Sequence, residues 1–231
     1  MSLIKIFLLF ALVTSGGLLY FLIGKSNAQI LKLSLAFSGA YLFAITVTHL
    51  IPEVYHSSVP NIGVYVLAGF IFQILLEYFS EGIEHGHIHV HKHHTKAFPL
   101  AMMLSLCVHS FFEGMPLADE SQQQSLLTGI ILHHMPVAFA LMSMLQQSKI
   151  SKAGSIAAIL VFAAVCPIGA LTGNYLTNFV TAGHFEIIMA IVIGIFLHIS
   201  TTILFESDSD HRFNFIKMFV ILAGVGLALV V

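Results

Sequence analysis

Apolar runs of about twenty residues alternate with short polar connections along the whole chain. A helix that crosses the hydrocarbon core of a bilayer needs about 20 predominantly apolar residues. Barrel strands would instead alternate between apolar and polar positions, and these runs do not. The pattern predicts eight spanning helices, at Ile4–Ile23, Ala28–Ile51, Asn61–Phe79, Pro99–Met115, Ser125–Met144, Ser155–Tyr175, Phe185–Phe205 and Phe213–Val231.

The composition agrees with this pattern, because 58% of the 231 residues are hydrophobic and 9% are charged. Soluble domains carry about 25% charged residues, so we expect an all-α integral membrane protein in a lipid bilayer. The net charge of −2 argues against nucleic acid as a partner. Cys107 and Cys166 lie inside apolar runs and are interpreted as small buried side chains.

Basic residues fall on alternate connections between the predicted spans. Eight of the nine, all except Lys5, then share one side of the membrane: Lys25, Lys32, Lys92, Lys96, Lys149, Lys152, Arg212 and Lys217. Cytoplasmic connections carry the excess of Lys and Arg in membrane proteins. The charge pattern therefore predicts that both termini are extracytoplasmic. We expect the plasma (inner) membrane, and both a monomer and a homodimer remain open.

The third connection, residues 81–96, is rich in histidine. Six imidazoles fall within ten residues, at His85, His87, His89, His91, His93 and His94. Such a tract on the cytoplasmic side favours loose, low-affinity metal binding. The alternative is a flexible polar linker without a role.

Two neighbouring spans carry ionisable side chains where lipid is expected. His109 and Glu113 lie one helical turn apart on one face of the fourth span. His133 and His134 lie in the antiparallel fifth span at a similar depth, near the bilayer centre. Ionisable residues inside a membrane are costly and mark functional sites. Imidazoles with a carboxylate suit zinc and similar divalent ions, so a metal site is predicted. Interhelical hydrogen bonding is the alternative.

Helix-breaking residues accompany both motifs. Pro136 lacks an N–H and clashes with the carbonyl of Leu132, so we expect a kink in the fifth span. Gly114 and Pro116 weaken the fourth span just after Glu113. Transporters line their substrate cavities with broken helices at this depth.

Two polar neighbours of the predicted ligands have open roles. His134 points about 100° around the helix from His133, so it either ligates a second ion or only donates a hydrogen bond. Ser110 faces away from His109, and its hydroxyl is either a ligand or bonds back to the helix backbone.

Further ionisable residues indicate a route to and from this site. His49 and Glu53 share a face at the outer end of the second span, where a cation would arrive. His198 lies inside the seventh span, while Glu77 and Glu81 end the third span near the cytoplasm. Solvated helix ends and polar packing between helices are the alternatives.

At these residues the chain resembles the ZIP (Zrt/Irt-like) family of divalent-metal transporters over essentially its whole length. Four short motifs carry the resemblance, one each in the second, fourth, fifth and seventh spans. They are His49-Leu50-Ile51-Pro52-Glu53, His109-Ser110-x-x-Glu113-Gly114, His133-His134-x-Pro136 and Phe196-Leu197-His198-Ile199-Ser200.

The resemblance implies one transporter domain over residues 1–231, with spans 1–3 and 6–8 as inverted three-helix repeats around spans 4 and 5. It implies metal import into the cytoplasm by rocking of one bundle against the other. The metal is a substrate and no prosthetic group is expected. Zinc is favoured, and Fe²⁺, Cd²⁺ and Mn²⁺ share such ligands.

Departures from the family pattern affect the number of metal ions. The resemblance implies a two-metal centre bridged by the carboxylate of Glu113. The first site would use the positions of His109, Glu113, His133 and Val137, and the second those of Ser110, Glu113 and His134. Valine cannot ligate, and serine is a poorer ligand than the family's asparagine. We therefore expect one metal centre, built on His109, Glu113 and His133, with His134 adjustable.

Two other classes of function compete with transport. A membrane-embedded zinc hydrolase, of the ceramidase or adiponectin-receptor kind, also holds zinc with intramembrane histidines. Such an enzyme needs an open coordination position near a membrane face and a separate acid or base, whereas Glu113 lies among the ligands. A metal-sensing receptor without flux needs a signalling domain, for which no connection is long enough. We therefore expect a transporter, not an enzyme.

Overall fold

The structure, a computed structural model, describes residues 1–24, 28–80, 82, 98–118, 123–148, 150–179, 181–205 and 215–231. These residues form helices and no strand, as a lipid-embedded backbone that must satisfy its own hydrogen bonds requires. The helices are α1 (Leu3–Leu18), α2 (Tyr20–Ile23), α3 (Ala28–Ile45), α4 (Ile51–Tyr55), α5 (Ile62–Ser80), α6 (Phe98–Gly114), α7 (Gln123–Gln147), α8 (Lys152–Phe179), α9 (Ala182–Phe205) and α10 (Phe215–Ala228).

Seven stretches of the described chain are long and apolar enough to cross a membrane. They are Leu3–Ile23, Gln29–Tyr55, Ile62–Ser80, Leu100–Ala118, Gln123–Gln147, Lys152–Phe179 and Gly183–Phe205. They match the first seven predicted spans. The eighth is described only as α10, whose 14 residues cover about 21 Å at 1.5 Å per residue, less than the hydrocarbon core.

The helices pack in four principal pairs, which are α1 with α7, α6 with α8, α3 with α10, and α5 with α9. Contacts of α8 with α1 and α7 join the first two pairs into one group, and contacts of α3 with α9 join the other two. The two groups meet where α3 packs on α7 and α5 packs on α6. The spans predicted to carry the metal ligands, α6 and α7, therefore lie in one group and face the other.

Glycines allow each pair to approach closely, as is common between helices in lipid. One such glycine lies in each pair, and the close contacts join Gly16 to Met135, Gly169 to Phe111, Gly224 to Phe37, and Gly194 to Val66. A Cβ added at any of these four glycines would lie within 2.6 Å of the backbone oxygen of the named residue on the partner helix.

Two local departures from α-helix lie near the predicted motifs. A π-helical turn at Thr46–Leu50 carries His49, and a 3-10 turn at Met115–Ala118 follows Glu113. The second agrees with the expected weakening by Gly114 and Pro116. Pro136 lies inside α7, which is assigned as one helix from Gln123 to Gln147. A membrane helix tolerates such a proline because neighbouring groups satisfy the freed carbonyl.

Lys5, the exception to the charge pattern, has a specific partner. Its Nζ donates a hydrogen bond of 2.6 Å to Oε1 of Gln123 at the start of α7. Gln123 Nε2 in turn donates to the carbonyl of Leu117 at 2.8 Å. This chain of hydrogen bonds joins α1, the turn after α6, and α7 at one end of the bundle.

The close approach of α6 and α8 leads to a stability prediction. In a Gly169→Ala variant the new Cβ would lie 2.1 Å from the carbonyl oxygen of Phe111, so the helices must separate. We expect destabilisation of about 1–3 kcal/mol, measured by thermal unfolding in detergent. Gly226→Ala on α10 is the matched control, because no heavy atom lies within 4 Å of its Cβ. Equal stability of the two variants would contradict the packing of this pair.

Candidate metal centre

Four predicted ligand side chains converge between α6 and α7. His109 and Glu113 lie one turn apart on α6, and His133 and His134 are consecutive on α7. Each is at most 1% exposed to solvent, so the cluster lies inside the protein and not on its lipid face. The i,i+4 spacing places His109 and Glu113 on one face of α6, as predicted from the helical repeat.

The geometry of three of these residues suits a single ion. Ligand atoms of His109, Glu113 and His133 all lie within 4.8 Å of one another. His109 Nε2 lies 3.2 Å from Glu113 Oε2, and the rings of His109 and His133 are 6.2 Å apart at 78°. Two imidazoles and a carboxylate provide three ligands of a tetrahedral zinc site and leave the fourth position for water.

Glu113 has a buried carboxylate that a bound cation would stabilise. Its side chain is fully buried, and its Oε1 has no hydrogen-bond partner within the described residues. A buried carboxylate is strongly disfavoured unless charges or hydrogen bonds compensate it. A divalent ion beside Glu113 would provide that compensation.

His134 contacts the carboxylate of Glu113 and is not one of the three residues whose ligand atoms converge. Its Nε2 donates a hydrogen bond to Oε2 of Glu113, and its ring lies 5.6 Å from that of Phe162 on α8. Of the two roles left open for His134, this arrangement favours hydrogen bonding to Glu113. A second ion would displace that hydrogen bond.

The two departures from the family pattern have different surroundings. Ser110 is fully buried, and its Oγ has no hydrogen-bond partner among the described residues, so it does not bond back to the helix. Val137 is 1% exposed and offers no ligand atom. Ser110 therefore stays a candidate ligand, while Val137 leaves the first site one ligand short.

Two of the predicted route residues form a pair with each other, between α9 and α5. His198 Nε2 on α9 lies 3.0 Å from Glu77 Oε2 on α5. His198 Nδ1 lies 3.1 Å from Thr202 Oγ1, and its ring stacks on Phe70 at 5.0 Å. The structure thus brings together two residues that are 121 positions apart in sequence. The sequence predicts each of them as a route residue but does not predict their contact.

The remaining predicted residues lie elsewhere. His49 is half-buried in the π-helical turn, where its Nδ1 contacts Thr48 Oγ1 at 2.8 Å, and Glu53 is exposed on α4. Glu81 and the six tract histidines, His85, His87, His89, His91, His93 and His94, lie outside the described residues.

One further polar side chain contacts the cluster and belongs to none of the sequence motifs. Gln73 on α5 is fully buried, and its Oε1 lies 3.3 Å from His109 Nδ1. The sequence signal for it is an amide in a largely apolar span. Gln73 lies one turn before Glu77 on the same helix face.

Comparison with known proteins identifies related sequences. Residues 85–231, which include the whole cluster, match a family described as ZIP Zinc transporter. The chain is also 28% identical over 169 residues to Protein zntD of Dictyostelium discoideum. That similarity covers 65% of this chain and 25% of zntD, so the chain matches about a quarter of its relative's length.

Substitution of the cluster should remove metal binding. Glu113→Gln keeps the side-chain shape but removes the charge, and His133→Ala removes a ligand. We expect zinc affinity to fall by more than the roughly 10–100-fold typical of an outer-shell loss, measured by chelator competition on purified protein. His184→Ala, at an exposed position on α9, is the control. Parental affinity in both cluster variants would mean that zinc binds elsewhere.

Proposed function

The chain belongs to the ZIP family of zinc transporters, and from this premise we propose that it imports a divalent metal, zinc foremost, into the cytoplasm. The observation that carries the proposal is the buried His109–Glu113–His133 cluster inside a bundle of apolar helices. Ligand sets at such depth mark substrate sites in transporters. The metal is the substrate, so it must be able to leave.

Zinc is the preferred substrate on ligand chemistry. Two imidazoles and one carboxylate match the nitrogen and oxygen ligands that zinc takes, whereas harder Mn²⁺ prefers more oxygen. Fe²⁺ and Cd²⁺ remain secondary substrates, since they accept the same groups. We propose one ion at the centre, because Val137 provides no ligand and His134 is engaged with Glu113.

The pattern of helix packing supports eight spans in two inverted repeats, within one domain over residues 1–231. Numbering α1, α3, α5, α6, α7, α8, α9 and α10 as spans 1 to 8, the pairs are 1 with 5, 4 with 6, 2 with 8, and 3 with 7. Exchanging spans 1–3 with 6–8 in order, and 4 with 5, maps each pair onto another. An inverted repeat has this property, and an even number of spans places both termini on one side, outside the cytoplasm.

Alternating access would proceed by movement of one helix group against the other. A cavity of about 210 Å³ lies between them, with Leu19 and Pro136 on one wall and Leu31 and Ser34 on the other. Its lining is largely apolar, so it offers room for helix displacement and no ligands of its own. The protein would act in the plasma (inner) membrane, as a monomer or a homodimer.

The proposed direction, into the cytoplasm, rests on the predicted topology and on the placement of the route residues. Under the topology predicted from charge, α5 ends at the cytoplasmic side, so Glu77 and His198 would receive an ion released from His109 and Glu113. The histidine tract would then collect it loosely. His49 and Glu53, at the outer end of span 2, would collect ions from outside the cell.

The direct test is zinc uptake into proteoliposomes that contain purified protein. We expect time-dependent uptake that is lost in Glu113→Gln and His109→Ala, and kept in the His184→Ala control. A lipid-hydrolysis assay on the same sample should show no activity. Uptake that survives both cluster substitutions would contradict the proposed function.

The Glu77–His198 pair gives a separate kinetic prediction. His198→Ala removes the imidazole 3.0 Å from Glu77 but leaves the cluster intact. We expect equilibrium zinc affinity within about 2-fold of the parent and an uptake rate lowered about 10-fold, since one step of release loses a ligand. Chelator competition and initial uptake rates measure the two quantities. A large loss of affinity with an unchanged rate would place His198 in the main site.

A further inference from the structure

Gln73 has a buried amide side chain, and its immediate neighbours in sequence are apolar. Its side chain is fully buried, its Oε1 accepts a hydrogen bond from His109 Nδ1 at 3.3 Å, and its Nε2 has no hydrogen-bond partner among the described residues. Burial of an incompletely satisfied amide lowers stability. The interaction with His109 offers a functional reason for it.

The hydrogen bond to Gln73 determines which nitrogen of His109 faces the carboxylate. Because Oε1 is an acceptor, Nδ1 carries the hydrogen and Nε2 presents its lone pair. Nε2 lies 3.2 Å from Oε2 of Glu113. Two groups with lone pairs at this distance repel each other, and a metal cation bound between them would relieve that repulsion. Gln73 therefore orients His109 in the form that binds metal, as outer-shell partners of ligand histidines do.

Gln73 belongs to the opposite helix group from the ligands. The ligand helices α6 and α7 pack with α8 and α1, whereas α5 packs principally with α9. The bond between Gln73 and His109 thus crosses the boundary between the groups, where α5 meets α6. A displacement of α5 relative to α6 would lengthen it.

We propose that Gln73 is a positioning residue that holds His109 ready for metal and makes zinc affinity depend on the relative position of the two helix groups. The inference rests on the proposed function for its role in transport. Affinity would be high while α5 and α6 are together and lower once they separate. The bound ion would therefore be released by the same movement that opens the site.

A neutral side chain suits this role better than a carboxylate. A glutamate at position 73 would accept the same hydrogen bond, but it would add a negative charge beside the ion. Zinc would then bind well and leave slowly. The amide orients the imidazole without this extra attraction, which is consistent with a site that must empty in each cycle.

The first experiment measures zinc binding by chelator competition on purified full-length protein. In Gln73→Leu we expect affinity to fall about 10–100-fold, because His109 loses its acceptor. Gln73→Glu should restore parental or tighter affinity. Gln146→Leu is the matched control, because Gln146 lies twelve residues after His134 on α7 and donates to Ser155 at 2.7 Å. Parental affinity in Gln73→Leu would overturn the proposal.

Thermal unfolding separates positioning from a purely structural role. Metal-free Gln73→Leu should unfold at or above the parental temperature, while the stabilisation added by zinc should shrink, since ligand-induced stabilisation follows affinity. A lower metal-free temperature with an unchanged zinc increment would assign Gln73 to structure only and overturn the inference.

Uptake kinetics complete the test. We expect Gln73→Leu to raise KM about 10-fold, and Gln73→Glu to lower kcat with KM unchanged or lower. If the parent binds zinc and Gln73→Leu weakens binding while neither moves zinc, transport fails and the positioning role stands. If the parent moves zinc and Gln73→Leu matches it in affinity and KM, the positioning role fails and transport stands.

Discussion

The structure depends on the burial of one carboxylate, that of Glu113. Its side chain is excluded from solvent in the middle of an apolar helix bundle, where removal of an ion from water costs several kcal/mol even after relaxation. His134 donates to one oxygen, His109 approaches that same oxygen, and the other oxygen has no hydrogen-bond partner among the described residues. The hydrogen bond from His134 therefore compensates the charge only in part. A bound cation would supply the remainder, which would give the folded protein a thermodynamic reason to bind metal.

Helix packing holds that carboxylate at its depth. Gly114 follows Glu113, and a Cβ there would lie 2.1 Å from the carbonyl oxygen of Cys166 on α8. The close approach of α6 to α8 continues at Gly169, so the backbone around Glu113 cannot shift without separating the two helices. Small residues at a membrane-helix interface are often explained by association alone. In this protein they also keep a buried charge in register with the imidazoles of α7.

Much of this arrangement could be predicted from the sequence because it depends on local geometry. Seven spans follow from apolar length, and the shared face of His109 and Glu113 follows from the helical repeat. The rest depends on tertiary packing that local rules do not contain. The pairing of Glu77 with His198 joins residues in distant spans, and Gln73 offered only a single amide without a motif.

The incomplete ligand set is consistent with transport rather than with storage. A resident structural zinc has four protein ligands and a closed shell, and its binding energy contributes directly to folding. Here three residues converge, Val137 offers nothing, and His134 contacts the carboxylate. An ion held by three ligands and water can exchange its water for the next ligand along the route without first losing a protein bond. Departure then requires weakening of only one of the three contacts. The contact at His109 is the best placed for this, because its imidazole is held by Gln73 from the opposite helix group.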